Sequence, residues 1–279
     1  MALQRRKNAL PQAPIKHRGT DVLQAVEYPL PGKKIPESVI RKLHPWLRDF
    51  VGMSSTVAAK VIASRWDGLA DRMLIKIRDH LLEFSPKSIM VGESEAVLMV
   101  SRPSKDKTFD KHWFIAPPQD PRELRNALRR FGFQESSVIA DFVTAFGGLR
   151  EELPGVSGYF PAIQHWERFD SPWMRAMWDQ PLTSKLAAWQ GAVIFYVSLN
   201  GDVLLLRRDQ ALAWWDHEMN AVRPLRKTFR GFLQYYGKYI QSDFPFSSCA
   251  PPSEEEILRD TKTSKGLNKV WMKLMKALK

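Results

Sequence analysis

Residues 192–216 constrain the fold more than any other part of the chain. The first eight are mostly apolar and β-branched or aromatic, and Asn200-Gly201 after them is a strong signal for a two-residue β-hairpin turn. Residues 202–207 return as the partner strand, and 211–216 follow after a short polar turn. This pattern predicts a three-stranded antiparallel meander.

Segments before and after the meander carry the periodicity and the capping residues of helices. Asp120 followed by Pro121 is typical of a helix start, and Gly147-Gly148 of a helix end. The predicted helices cover 56–83, 121–131, 138–146 and 229–241. Short strands are predicted over 88–91, 96–101 and 112–116.

Together these elements predict an α+β chain with a mostly antiparallel sheet. We expect 1–85 to be a basic, partly irregular and helical extension, 86–245 to be the α+β domain, and 246–279 to be a linker with a basic amphipathic C-terminal helix. That last helix is predicted because apolar residues of the tail recur at helical spacing between lysines. It has three possible docking places: its own domain, a partner groove or an anionic membrane. The apolar residues of the tail are Leu267, Val270, Trp271, Leu274, Met275 and Leu278.

The charge is concentrated at the two ends of the chain. The formal net charge is +12, from 42 basic and 30 acidic residues. Residues 1–50 hold ten basic against four acidic residues, and 253–279 hold seven against four. The middle is therefore nearly balanced, which disfavours a deep nucleic-acid channel and leaves basic terminal arms as the alternative.

The sequence contains no motif typical of catalysis, of cofactor binding or of metal binding. The six histidines form no metal-binding pair at helical spacing, and the lone Cys249 excludes both an intrachain disulfide and a cysteine-rich zinc site. Asp216-His217 resembles a tuned general base, but neighbouring residues of a strand point to opposite faces. The absence of an apolar spanning run and of an N-terminal apolar core favours a cytoplasmic protein.

Four stretches in order carry a resemblance to a known superfamily. Residues 137–148 (SVIADFVTAFGG) give an apolar helix with glycines after it, and 195–216 give strands around a hairpin. Residues 212–218 (LAWWDHE) place tryptophans and a polar string after the last hairpin strand, and 227–233 (KTFRGFL) begin a closing helix. This order resembles the SMI1/KNR4 superfamily, also called SUKH, over roughly residues 110–240.

The resemblance implies a non-enzymatic protein-binding module. Members of this superfamily are mostly bacterial immunity proteins that neutralise a cognate toxin by occlusion, and fungal members are scaffolds. The expected partner is therefore a protein, with no cofactor and no metal. The alternative is a protein that binds nucleic acid or an anionic membrane through its basic terminal segments.

The expected partner-binding residues are Trp214, Trp215, Asp216, His217 and Glu218. Consecutive residues of a strand face opposite sides, so one indole is expected in the core and the other at the surface or packed at an edge. Exposed tryptophan is enriched at binding hot spots. The other possibility is that both indoles are covered locally.

Overall fold

The computed structural model describes most of the chain between residues 25 and 241. The described ranges are 25–31, 35–93, 95–105, 107–153, 156–171, 184–198, 201–217, 221–226 and 228–241. The predictions for the basic N-terminal arm, for Cys249 and for the amphipathic C-terminal helix lie outside these ranges.

Ten strands form one antiparallel sheet in which the order of the strands is the order of the chain. Each strand therefore pairs with the strands just before and after it, without a crossover. The strands are β1 (Val26–Pro29), β2 (Ser85–Val91), β3 (Ala96–Pro103), β4 (Asp110–Ile115), β5 (Arg150–Leu153), β6 (Val156–Tyr159), β7 (Val193–Ser198), β8 (Val203–Leu206), β9 (Leu212–Asp216) and β10 (Ala221–Arg226). The predicted α+β class and the meander of β7, β8 and β9 are confirmed.

Helices are inserted between the strands and after the last one. They are α1 (Glu37–Ile40), α2 (Pro45–Arg48), α3 (Ser55–Ser64), α4 (Arg72–Leu81), α5 (Pro121–Phe131), α6 (Val138–Phe146), α7 (Ser184–Ala187) and α8 (Phe229–Gln241), with a short 3₁₀ turn at Ile163–His165. The predictions for α5, α6 and α8 are confirmed. Asp120 caps α5 by accepting hydrogen bonds from two backbone N–H groups of the first turn, with Pro121 as its first residue.

The single helix predicted over 56–83 is wrong. The chain breaks between α3 and α4, around Gly68, and Asp71 then caps a new helix by accepting from the N–H groups of Met73 and Leu74. The apolar period is similar on both sides of the break, which is why the sequence reads as one helix.

The described residues before 85 share the sheet and the core with the rest of the described chain. Tyr28 of β1 pairs with Ile89 of β2, so the first strand belongs to the same sheet as the rest. Leu47, Ile62 and Leu74 from the helices lie in the main hydrophobic core together with residues up to Ile240. The boundary expected after residue 85 therefore does not divide the core.

The main core lies on one face of the sheet and is rich in aromatic rings. Phe142 of α6 is its centre, with ring contacts to Phe160, Phe195 and Phe229 at 5.1–5.7 Å. A second core cluster on the opposite face includes Phe169.

Among the helices within the described ranges, none is both long enough and apolar enough to cross a lipid bilayer.

Candidate partner-binding surface

Trp214 and Trp215 both lie in the interior, each with an exposed fraction of 1%. Their side chains point to opposite faces of β9, as the strand geometry predicts. Trp214 joins the main core beside Tyr196, with ring centroids 6.2 Å apart. The expectation that one indole faces solvent is therefore wrong, and neither indole offers a surface to a partner.

The second indole is covered by a segment that is distant in sequence. The ring of Phe169 meets that of Trp215 edge-on at 5.3 Å, and Leu186 and Trp189 complete the cluster. Phe169 N also donates to Ala192 O at 2.8 Å, which fixes this segment to the start of β7. The sequence reading missed this cover because 150–190 carries no clear period.

His217, just after β9, has a carboxylate partner from the hairpin before it. His217 Nδ1 lies 2.9 Å from Asp202 Oδ1, and the same oxygen accepts a hydrogen bond from His217 N at 3.0 Å. The side chains of His217 and Asp202 are 26% and 13% exposed. The imidazole therefore has a fixed position at the surface.

Gly201 suits the turn before this contact. Its φ of +97° favours glycine, and a Cβ there would stand in ordinary van der Waals contact with the His217 ring, at 3.5 Å. Asp202 is also placed by its backbone, because its carbonyl accepts from Ser198 N and Ser198 Oγ, both at 2.9 Å. The hairpin turn and the imidazole are thus one local unit.

Asp216 and Arg223 make a separate polar contact on the next pair of strands. Asp216 pairs with Ala221 in the β9–β10 ladder, and Arg223 Nη2 lies 3.9 Å from Asp216 Oδ2. The Arg223 side chain is 56% exposed and that of Asp216 is 21% exposed. Glu218 lies outside the described residues.

We name Asp202, Asp216, His217 and Arg223 the hairpin-end group. Asp216 and His217 were expected from the sequence, whereas Asp202 and Arg223 were not. The only signal that could have found Asp202 was its position directly after the Asn-Gly turn. The group consists of two polar pairs, Asp202 with His217 and Asp216 with Arg223, and each pair includes a residue at the end of β9, whose two indoles are buried.

A second polar cluster, which sequence reasoning missed, is buried under the middle of the sheet. Lys111 Nζ lies 3.0 Å from Glu151 Oε1, and the side chains are 0% and 3% exposed. The ammonium also lies 5.6 Å from the centre of the Trp113 ring. Burial, and secondly the Glu151 charge, raise the pKa of Tyr236, which keeps that phenol neutral.

Among the described residues, the only group that hydrogen-bonds the His217 ring is Asp202. Within the same described ranges, no three histidine, cysteine, aspartate or glutamate side chains are grouped so as to hold a metal ion.

Comparisons of the chain with protein-family models, with curated proteins and with solved structures give no match.

Proposed function

We propose that this chain is a non-enzymatic, cytoplasmic protein-binding module that acts as a toxin-immunity factor of the SUKH type. The observation that supports the proposal is the hairpin-end group: charged side chains of both signs, partly exposed, at the end of a strand whose two indoles are buried. The element order that motivated the resemblance, from α6 through the meander to α8, is present in the structure.

The mechanism is occlusion. A partner seated on the hairpin-end group contacts fixed side chains, so little conformational entropy is lost when the complex forms. Arg223 is the most exposed member of the group, and arginine is enriched at binding hot spots. Asp202 and His217 hold each other in place and present a paired carboxylate and imidazole.

The test begins with affinity capture of the tagged full chain from the source cells at moderate salt. Each protein retained is then produced alone in a reporter bacterium, with and without this chain. A protein that stops growth by itself and no longer does so with this chain supports the proposal. Nucleic acid or lipid that is retained only at low salt instead supports binding through the basic termini.

The surface is tested with the captured protein by calorimetry. Arg223→Ala with His217→Ala should weaken binding by at least about 10-fold if the group lies near the centre of the interface. Arg41→Ala with Lys76→Ala, on helices of another part of the molecule, is the matched control. Equal affinities of both variants would move the interface elsewhere. Turnover of a substrate by the purified chain would refute the non-enzymatic assignment.

A further inference from the structure

A second exposed surface is rich in arginine. Helix α5 carries four arginines on its solvent-facing side and no lysine. Two more arginines, from two other segments, lie at the C-terminal end of α5. We name these six residues the arginine surface: Arg122, Arg125, Arg129, Arg130, Arg168 and Arg208.

Backbone carbonyls at the end of α5 bring the three segments together. Arg168 Nη2 donates to Arg130 O at 3.4 Å, and Arg208 Nε donates to Phe131 O at 3.2 Å. Arg208 also lies directly against Gly132, where a Cβ would be 2.5 Å from its Nε. Residues about 40 and 80 positions apart in sequence are therefore held at one helix end, where positive charge is favourable.

An aromatic ring supports one of the guanidinium groups. Arg130 lies 5.1 Å from the centre of the Phe131 ring. Such stacking reduces the rotamer freedom that a long side chain would lose on binding. The arginine surface is thus arranged before any partner arrives.

The contacts within the surface show which chemistry it accepts. Arg129 holds Glu135 through Nε and Nη2 at 2.8 and 2.7 Å. This pair shows that a carboxylate fits the arginine surface through two donor atoms of one guanidinium group. Arginine is also enriched, and lysine depleted, where proteins meet each other.

We infer that the arginine surface binds an acidic segment of a protein partner. This inference deepens the proposed function by giving the partner's chemistry, and it rests on that proposal for the partner being a protein. An acidic partner also agrees with the net charge of +12, because opposite charges speed the encounter.

The experiment uses the full chain and a dye-labelled peptide of twenty glutamates, with binding followed by fluorescence anisotropy at 150 mM salt. The test variant is Arg125→Gln with Arg129→Gln and Arg130→Gln. The control, Lys42→Gln with Lys60→Gln and Lys76→Gln, removes the same charge from exposed sites elsewhere. Glutamine suits a helix, and circular dichroism checks that both variants fold.

The arginine variant should bind the peptide about 10-fold more weakly than the parent does, because it loses three exposed charge pairs between protein and peptide. The lysine control loses none of these pairs and should bind within about 2-fold of the parent. Equal weakening in both variants would overturn the inference, because binding would then follow net charge. A 20-nucleotide single-stranded DNA is the competing probe. A larger loss for the DNA than for the peptide in the arginine variant would assign the surface to phosphate and also overturn the inference.

The peptide probe does not depend on the cellular partner. A retained protein that stops growth equally with and without this chain would therefore refute the proposed function without changing the anisotropy result, and a negative anisotropy result would leave the proposed function standing.

Discussion

Replacing Lys111 by methionine should remove the positive charge that compensates the buried Glu151 carboxylate. The two charged atoms lie 3.0 Å apart, and their side chains are almost fully buried. Coulomb's law with an effective dielectric constant of about 20 gives an attraction of about 5 kcal/mol at this distance. Most of that attraction is offset by the cost of desolvating both ions, so the pair adds little net stability.

Loss of one partner is a different matter, because the other charge remains in the core. Glu151 Oε1 receives no well-oriented hydrogen bond in the described structure, so the nearby ammonium is its compensation. Lys111→Met should therefore lower the free energy of unfolding by about 3–5 kcal/mol. This is a large part of the about 5–15 kcal/mol that stabilises an ordinary domain.

Urea denaturation followed by circular dichroism measures this loss. The double variant Lys111→Met with Glu151→Leu removes both charges and should recover most of the stability of the parent. Arg41→Met is the control, since Arg41 and Glu37 form an exposed pair at 3.3 Å with side chains 77% and 67% exposed. That change should cost less than about 1 kcal/mol.

Two results would refute this reasoning. One is a loss of less than about 1 kcal/mol in Lys111→Met, which would mean that water or another group compensates Glu151. The other is a double variant as unstable as the single one, which would mean that packing rather than charge is at stake. The double variant is measured first. If the single variant then fails to fold, the stability of the double variant still shows whether the loss comes from the unpaired charge.

Three further predictions concern local structure. Gly132→Ala should lower the free energy of unfolding by about 1–2 kcal/mol, because the backbone at this position has a φ of +82°. Adding Arg208→Ala removes the side chain that the new Cβ would contact, so the double variant should recover part of the lost melting temperature. Asp120→Ala should lower the melting temperature, since hydrogen bonds from the first turn of α5 lower the pKa of Asp120. Its contribution is present above the unfolded pKa of about 3.9 and is lost as pH falls through the lower folded pKa, so the melting curves of the parent and the variant should converge below about pH 4. His44 accepts from Trp46 N as the cap of α2, and partial burial with the charges of Arg65 and Arg48 lowers the pKa of His44. As pH falls, the unfolded chain takes up the proton first, so the stability that neutral His44 contributes is present above about pH 6.5 and is lost as pH falls through the folded pKa. His44→Asn keeps a cap but does not titrate, so its melting temperature should change less between pH 7 and pH 5 than that of the parent. An equal change of melting temperature with pH in both proteins would contradict the assignment.

The elements that the sequence predicted are those with a local signal. Helix α5 has its cap, its proline and its C-terminal glycine within thirteen consecutive residues, and the β7–β8 hairpin has its Asn-Gly turn. The missed strands lack such signals. Strand β5 reads as polar because it contains Arg150 and Glu151, whose burial depends on partners in other strands.

The candidate site shows the same limit. Strand geometry correctly assigned Trp214 and Trp215 to opposite faces. Whether the second face is open depends on Phe169 and Leu186, which reach it only after the chain has folded back. The Asp202–His217 contact likewise joins residues fifteen positions apart, and only the register of β8 with β9 brings them together.

The agreement between strand order and chain order has a consequence for synthesis on the ribosome. Each strand that emerges finds its neighbour already made, so the sheet can lengthen one strand at a time from the N-terminal side. The helical layer is different, because α8 is the last described element and packs on α4: Arg230 Nη2 lies 3.0 Å from Asp71 Oδ2, and Gly237 lies against Ile77. A nascent chain that stops before residue 229 therefore leaves the apolar side of α4 uncovered, and this is the stage at which a chaperone would find a binding surface.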